Sequence, residues 1–93
     1  MHNFKVIFKD YLEFCTLQKN LSRNTVKAYT IDLSQFFSFS LDVSDPFHKN
    51  HLTKYVRFLN QHYKPKSAKR KIASLKTFCN YLVYEEILLI NPF

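Results

Sequence analysis

The chain has 93 residues, of which 46% are hydrophobic and 17% aromatic, and its 14 lysines and arginines against 7 acidic residues give a net charge of +7. This length allows one domain with one core, and the many aromatic residues exclude a charge-dominated disordered segment. The sequence contains no glycine, which excludes glycine-rich phosphate loops and disfavours an all-β meander with tight hairpin turns.

The sequence gives no sign of a membrane segment or a leader. No apolar stretch approaches the about 20 residues that a membrane-spanning helix needs, and the first ten residues, with Lys5, Lys9 and Asp10 among them, do not resemble a signal peptide. The two cysteines, Cys15 and Cys79, have no neighbouring ligands that would complete a metal set. We therefore expect two buried thiols in a protein of the reducing cytoplasm, without membrane contact.

Helical periodicity dominates the first half of the chain. Apolar residues recur there at spacings of three and four, which is typical of amphipathic helices. The pattern predicts a first helix over residues 3–18 and a second over residues 23–39, with Ser22 as the N-cap of the second. Residues 40–50 contain turn formers and are predicted to be an irregular connector.

The second half continues the same periodicity. A third helix is predicted over residues 51–63, and Ser67 is expected to cap a fourth helix. The predicted fold is all-α, an antiparallel four-helix bundle around one aromatic-rich core. The apolar stripe of the fourth helix is expected to consist of Ala68, Ile72, Leu75, Cys79, Leu82 and Val83.

The positive charge is confined to one half of the molecule. Residues 1–46 hold five basic and five acidic residues, whereas residues 47–93 hold nine basic and two acidic ones. All nine of those basic residues lie between Lys49 and Lys76, an interval without any acidic residue. Such a block is typical of a surface that meets phosphates, although lysines also form ordinary solvated helix faces.

The non-core sides of two predicted helices carry groups suited to nucleic acid. Guanidinium, hydroxyl and phenol groups together favour phosphate and base-edge contacts over a uniform solvent face. A helix N-terminus with a nearby arginine also favours a phosphate. On the fourth helix the face consists of Lys66, Arg70, Ser74, Thr77 and Tyr81; on the second it consists of Ser22, Arg23, Asn24, Thr25, Lys27 and Ile31.

Catalytic and metal-binding patterns are weak. His48 and His51 lie three apart near Asp45, but a third strong ligand is missing, so we predict exposed polar residues there. Glu85 and Glu86 are adjacent and point to different sides of a helix, which prevents them from acting as an acid/base pair. No serine has a nearby histidine and carboxylate in the sequence. We therefore predict no catalytic residue, metal site or cofactor.

Two segments resemble the core-binding domain of tyrosine recombinases, the phage integrase and Xer family. Residues 21–33 have the sequence LSRNTVKAYTIDL and are followed by Phe36, which is similar to the L-S-x-N-T-x-x-x-Y-x-x-D-L-x-x-F opening of that domain. Residues 67–82, SAKRKIASLKTFCNYL, followed by Glu85 and then Asn91 and Pro92, resemble its last long helix and exit. The resemblance covers essentially the whole chain.

The resemblance implies a SAM-like four-helix bundle that clamps one side of duplex DNA with its second and fourth helices. Tyr29 and Asp32 are expected to be structural, while Ile31 is an apolar departure on the expected DNA face, suited to a thymine methyl group or a neighbouring protomer. By position, the implied DNA contacts are Ser22, Arg23, Asn24, Thr25 and Lys27 on the second helix, and Lys66, Ser67, Arg70, Ser74, Lys76 and Thr77 on the fourth.

The resemblance also implies where the chemistry lies. Tyrosine recombinases cleave DNA with a tyrosine nucleophile and an Arg/His cluster in a separate C-terminal domain. Residues 1–93 are therefore expected to be a non-catalytic, DNA-binding domain of a longer recombinase that acts in DNA integration and recombination. Its expected partners are double-stranded DNA, its own catalytic domain and neighbouring protomers on DNA.

Two alternatives remain open at this point. The first is a helical protein-interaction module that presents Phe39, Phe58 and Phe78 at the edge of the core stripes. The second is a small helix-turn-helix regulator in which Lys64, Pro65 and Lys66 form the turn, although the sequence lacks a glycine turn.

Overall fold

The computed structural model describes residues 3–93, which form four helices joined by short connections. These are α1 (Phe4–Leu17), α2 (Arg23–Phe39), α3 (Lys49–His62) and α4 (Pro65–Tyr84). No strand occurs within the described residues. The predicted all-α, four-helix fold is confirmed.

The first two helices begin where their caps predict. The Asn3 side chain accepts hydrogen bonds from the backbone N–H groups of Lys5 and Val6, at 3.1 and 3.4 Å. Ser22 Oγ accepts from the Thr25 N–H at 3.1 Å. Each side chain thereby satisfies donors that a helix N-terminus leaves without a partner. The predicted cap at Ser22 is confirmed.

The last two helices begin earlier than the sequence predicts. His48 is the N-cap of α3, and its Nδ1 accepts from the Asn50 N–H at 3.2 Å, so that helix begins two residues before the predicted start. Lys64 is the N-cap of α4 and Pro65 its first residue. Proline suits this position because its φ is already helical and its missing N–H would have no partner there. The expectation that Ser67 caps the helix is therefore wrong: Ser67 lies within the first turn.

Aromatic contacts show how the helices pair. Tyr11 of α1 stacks against Tyr29 of α2, with ring centroids 6.3 Å apart, while Phe4 of α1 stacks against Phe37, near the opposite end of α2, at 6.2 Å. These two contacts make α1 and α2 antiparallel. Residues along α2 also contact α4 in reverse order, as described below, so α2 runs antiparallel to both neighbours.

Phe78 lies at the centre of the core. Its ring is 0% exposed and lies 4.9 Å from the Tyr11 ring and 6.0 Å from those of Phe37 and Phe47. The expectation that Phe78 is an edge residue available to a partner is wrong, because α1, α2 and the connector after α2 all cover it. Phe47 belongs to that connector and is itself buried, also packing against Phe36 at 5.4 Å.

Two turns without glycine use residues with positive φ. Asn20 has φ 52° in the turn after α1, and Glu86 has φ 61° just beyond α4. At the end of α4, the Glu86 N–H donates to the Val83 carbonyl and the Ile87 N–H to the Leu82 carbonyl. This pair of bonds defines a Schellman motif, in which glycine is the usual residue at the position that Glu86 occupies.

Candidate nucleic-acid interface

One exposed face of α4 carries four of the six contact residues predicted on that helix. Positions three, four and seven apart share one face of a helix: Lys66 and Arg70 are four apart, Thr77 is seven beyond Arg70, Lys76 lies at the edge of the same face, and all four are exposed. Lys69 is exposed on the same face; the sequence analysis missed it as a contact, although its spacing from Lys66 and Lys76 would have identified it. We call these five residues the α4 strip.

Ser74 does not belong to the α4 strip. It is 3% exposed, and its Oγ donates to Asp32 Oδ2 at 2.7 Å. The expectation that Ser74 lies on the face opposite the core is therefore wrong. Lys71 is buried as well, at 5% exposure, so the buried side of α4 is rotated by roughly 50° from the predicted stripe, toward α2. The apolar pattern misplaced that side because two of its buried residues are polar.

The start of α2 presents a second group of predicted contacts. Arg23, Asn24 and Lys27 are exposed. Ser22 and Thr25 are engaged with each other, since their hydroxyl oxygens lie 2.9 Å apart in addition to the cap bond. Their hydroxyl groups thus order the first turn of α2. That turn still presents the backbone N–H groups that favour an anion at a helix N-terminus.

A groove lies between the C-terminal end of the α4 strip, at Thr77, and the turn that precedes α2. It has a volume of about 690 Å³ and is lined by Leu21 in the turn before α2, by Tyr29 of α2, and by Thr77 and Asn80 of α4. Ser67, near the N-terminal end of α4, is only half-buried. From Lys66 to Thr77 the helix rises about 16 Å. The α4 strip is therefore an elongated row along the helix.

Asp32 connects α2 to α4 through a buried ion cluster. Its Oδ1 accepts from Arg70 Nη2 at 2.8 Å and from Lys71 Nζ at 3.1 Å, while Ser74 donates to its Oδ2. Burial alone would raise the pKa of Asp32, but the hydrogen bonds from Ser74, Lys71 and Arg70 outweigh it and hold that pKa below its ordinary value. Asp32 is thus structural, as expected.

The ion cluster extends to the end of α3. Lys71 Nζ donates to Gln35 Oε1 and lies 4.9 Å from the centre of the Tyr63 ring, a cation–π contact. Gln35 Nε2 in turn donates to Tyr63 Oη at 2.8 Å. Asp32 contacts Ser74, and Gln35, three residues later on α2, contacts Lys71, three residues earlier on α4. These two helices are therefore antiparallel. The polar partners are 28 to 42 residues apart in the chain.

The surface charge of the second half is largely uncompensated. Of the nine basic residues between positions 49 and 76, Lys71 is buried against Asp32 and the other eight are exposed. In the described part of the chain, the ion pairs are the two that Arg70 and Lys71 make with Asp32. The charge block is consequently a positive surface of α3 and α4.

The histidine pair has a structural role. His51 is 9% exposed, so the prediction that it is an exposed residue is wrong. Ser40 Oγ donates to the Phe36 carbonyl at 2.7 Å and lies 2.7 Å from His51 Nε2. Since the hydroxyl proton is used on Phe36, His51 Nε2 must donate to Ser40. Burial, with a smaller effect from Lys54, lowers the pKa of His51.

Other predicted features can be placed as well. Cys15 and Cys79 are free and buried, as expected, and burial raises the pKa of Cys79 to about 12. No group of three His, Cys, Asp or Glu residues in the described ranges could hold a metal ion. None of the helices formed by residues 3–93 is long and apolar enough to span a membrane.

Comparison with known proteins decides the family. The family model described as "Phage integrase, N-terminal SAM-like domain" matches residues 8–86, most of the chain. The chain belongs to the phage integrase N-terminal SAM-like domain family. The resemblance inferred from the segments at residues 21–33 and 67–82 is thereby confirmed. No solved structure matches the chain.

The curated relatives of this SAM-like domain are tyrosine recombinases. It is 46% identical over 95 residues to a tyrosine recombinase of Agathobacter rectalis, covering 100% of the chain and 31% of that protein. It is 36% identical over 92 residues to tyrosine recombinase XerD of Listeria innocua, covering 92% of the chain and 31% of that protein. Against tyrosine recombinase XerC of Leptospira interrogans the identity is 32% over 90 residues, covering 90% and 29%. The domain thus spans about a third of the length of these relatives.

Proposed function

We propose that this SAM-like domain binds duplex DNA through the α4 strip and the start of α2, and that it does so as the non-catalytic part of a tyrosine recombinase. The observation that carries the proposal is the α4 strip itself. Four of its five residues are cations, and they are exposed on one helix face with no acidic residue between Lys49 and Lys76. Family membership supports the same function.

The proposed contact is mainly with the phosphate backbone. Lysines of the α4 strip are long, flexible cations suited to phosphates, whereas Arg70 has a planar group that suits a phosphate or a guanine edge. Arg23, Asn24 and Lys27 would extend the contact at the start of α2, where free backbone N–H groups favour a phosphate. Ser22 and Thr25 contribute by ordering the first turn of α2, Ser67 is half-buried in the first turn of α4, and Ser74 acts only through Asp32.

Ile31 adds an apolar element to the exposed side of α2. Its side chain is 48% exposed, as expected, and lines a groove of about 620 Å³ between α2 and α3 with Phe39 and Phe58. We propose that Ile31 contacts a neighbouring protomer or a thymine methyl group. Because Phe39 is also partly exposed, this groove is the feature that favours the alternative function, a protein-interaction module.

Recombination chemistry is proposed to lie in a separate C-terminal catalytic domain. The domain described here spans 31% of the length of its A. rectalis relative, which leaves room in such proteins for a further domain. In the full-length recombinase, this domain would hold DNA so that the catalytic domain reaches the scissile phosphate. A complete reading frame should therefore recombine its target DNA, and residues 1–93 alone should bind DNA without cleaving it.

The binding test is fluorescence anisotropy with a labelled duplex at several salt concentrations. The four cations of the α4 strip alone would contribute about −3.6 to the slope of log affinity against log salt, or roughly 100-fold between 50 and 200 mM, and contacts from Arg23 and Lys27 would make the slope steeper. Replacing Lys66 and Arg70 by alanine should make the slope shallower by about 1.8. Asp32 keeps Lys71 and Ser74 as partners, so this variant should stay folded.

A matched control removes two charges elsewhere. Lys5 and Lys9 are exposed on α1, outside the α4 strip, and their replacement by alanine changes the net charge as much as K66A/R70A does. The proposal requires K5A/K9A to keep a slope close to that of the unmodified domain. If both double variants lost the same affinity, the attraction would be a general charge effect. Binding that ignored salt would favour the protein-interaction alternative.

A further inference from the structure

The buried carboxylate of Asp32 holds one member of the α4 strip in a fixed direction. Its side chain is 0% exposed, and both oxygens accept hydrogen bonds from α4, with Arg70 Nη2 at 2.8 Å as one donor. A charge-assisted bond to a carboxylate that is itself immobile restricts the guanidinium far more than a solvated surface contact would. Arg70 is therefore anchored at its inner side.

The charges of the cluster leave a net positive charge at the surface. The Lys71 side chain is only 5% exposed and is held by Asp32, Gln35 and the Tyr63 ring, so it neutralises the carboxylate but cannot reach a ligand. The Arg70 side chain is 54% exposed. A guanidinium has five N–H donors, and the bond to Asp32 uses one of them. Arg70 can consequently contact a second anion while it keeps its hydrogen bond to the Asp32 carboxylate.

We propose that Asp32 is a positioning residue for DNA binding, which orients the Arg70 guanidinium toward a backbone phosphate while Lys71 cancels the carboxylate charge. The inference rests on the proposed function and names how one contact of that surface is prepared. A side chain that is already ordered loses less rotational freedom on binding, so the affinity gained per contact is larger. Asp32 itself touches no DNA.

The decisive variant removes the anchor without changing the charge of the protein. Asp32→Leu combined with Lys71→Met deletes one negative and one positive charge, so the net charge stays at +7 and Arg70 is retained. Replacing a buried ion pair by apolar residues of similar size is often neutral for stability. Circular dichroism verifies the fold, and Asp32→Ala with Lys71→Met, which also lacks an acceptor for Arg70, is the second variant if the first does not fold.

The DNA affinities of the unmodified domain, Arg70→Ala, D32L/K71M and the combined variant form a double-mutant cycle, measured with the same labelled duplex. Arg70→Ala alone should weaken binding about fivefold. The D32L/K71M variant should lose nearly as much affinity, and adding Arg70→Ala to it should cost less than about twofold. Binding by D32L/K71M within about twofold of the unmodified domain, or a full loss from Arg70→Ala in that background, would overturn the proposal.

A second readout does not depend on DNA. In the unmodified domain, the Arg70 Nη protons should give separate NMR signals because the guanidinium cannot rotate freely, and in D32L/K71M these signals should merge. Free rotation in the unmodified domain would overturn the positioning role while leaving the proposed function intact. A restricted guanidinium in a domain that shows no salt-dependent DNA binding would instead contradict the proposed function, and the positioning role with it.

Discussion

Replacing Asp32 by alanine should be among the most destabilising single changes in this domain. The change removes the acceptor of hydrogen bonds from Arg70, Lys71 and Ser74. Arg70 can turn into solvent, since its side chain is 54% exposed, but Lys71 stays buried with its charge unpaired. Breaking a buried ion pair in this way costs about 3–5 kcal/mol. A domain of this size has a total stability of about 5–14 kcal/mol.

The assay is urea unfolding followed by circular dichroism, with the free energy of unfolding extrapolated to water. Asp10→Ala is the control, because Asp10 is an exposed acid on α1, and it should change stability by no more than about 0.5 kcal/mol. Adding Lys71→Met to Asp32→Ala should recover part of the loss by removing the unpaired charge. A loss below about 1 kcal/mol for Asp32→Ala would refute the account of the ion cluster.

Three further predictions follow from burial, titration and backbone geometry. Phe78→Ala should lower the free energy of unfolding by about 3–5 kcal/mol and Phe39→Ala by much less, since only the first ring is fully enclosed; equal losses in urea unfolding would contradict this. The depressed pKa of Asp32 means that its stabilising effect is complete above the unfolded pKa of about 3.9 and is lost as the pH falls through the lower folded value. Acid unfolding should therefore be shallower in Asp32→Asn, and an identical pH profile would show that another group is responsible. Glu86→Gly should raise the free energy of unfolding by about 0.5–1 kcal/mol by relieving a positive φ, and with it the melting temperature; a lower melting temperature would mean that the Glu86 side chain makes a stabilising contact.

Local signals in the sequence were sufficient to predict that four helices form and where the first two begin and end. Apolar spacing and the Ser22 cap predicted α2 over the residues that it occupies, and α1 within one residue at each end. The start of α4 was missed because Pro65 was treated as an interruption, whereas proline is a favourable first residue of a helix.

The orientation of α4 could not be predicted in the same way. Lys71 and Ser74 are polar, so a pattern of apolar residues assigned them to solvent, but Asp32, about 40 positions earlier, supplies the partner that allows their burial. For the same reason, Phe78 was predicted at an edge that α2 in fact covers. The exposure of Lys66, Arg70 and Thr77 was predicted correctly because their spacing is local.

The central claim, DNA binding through the α4 strip and the start of α2, is tested most directly by mapping backbone amide shifts in NMR spectra while a duplex is added. The account predicts shifts concentrated at residues 22–27 and 65–77, which diminish as salt is raised. The amides of Lys5 and Lys9 on α1 should stay unchanged. Shifts confined to the groove around Phe39 and Phe58, or no shifts at low salt, would contradict it.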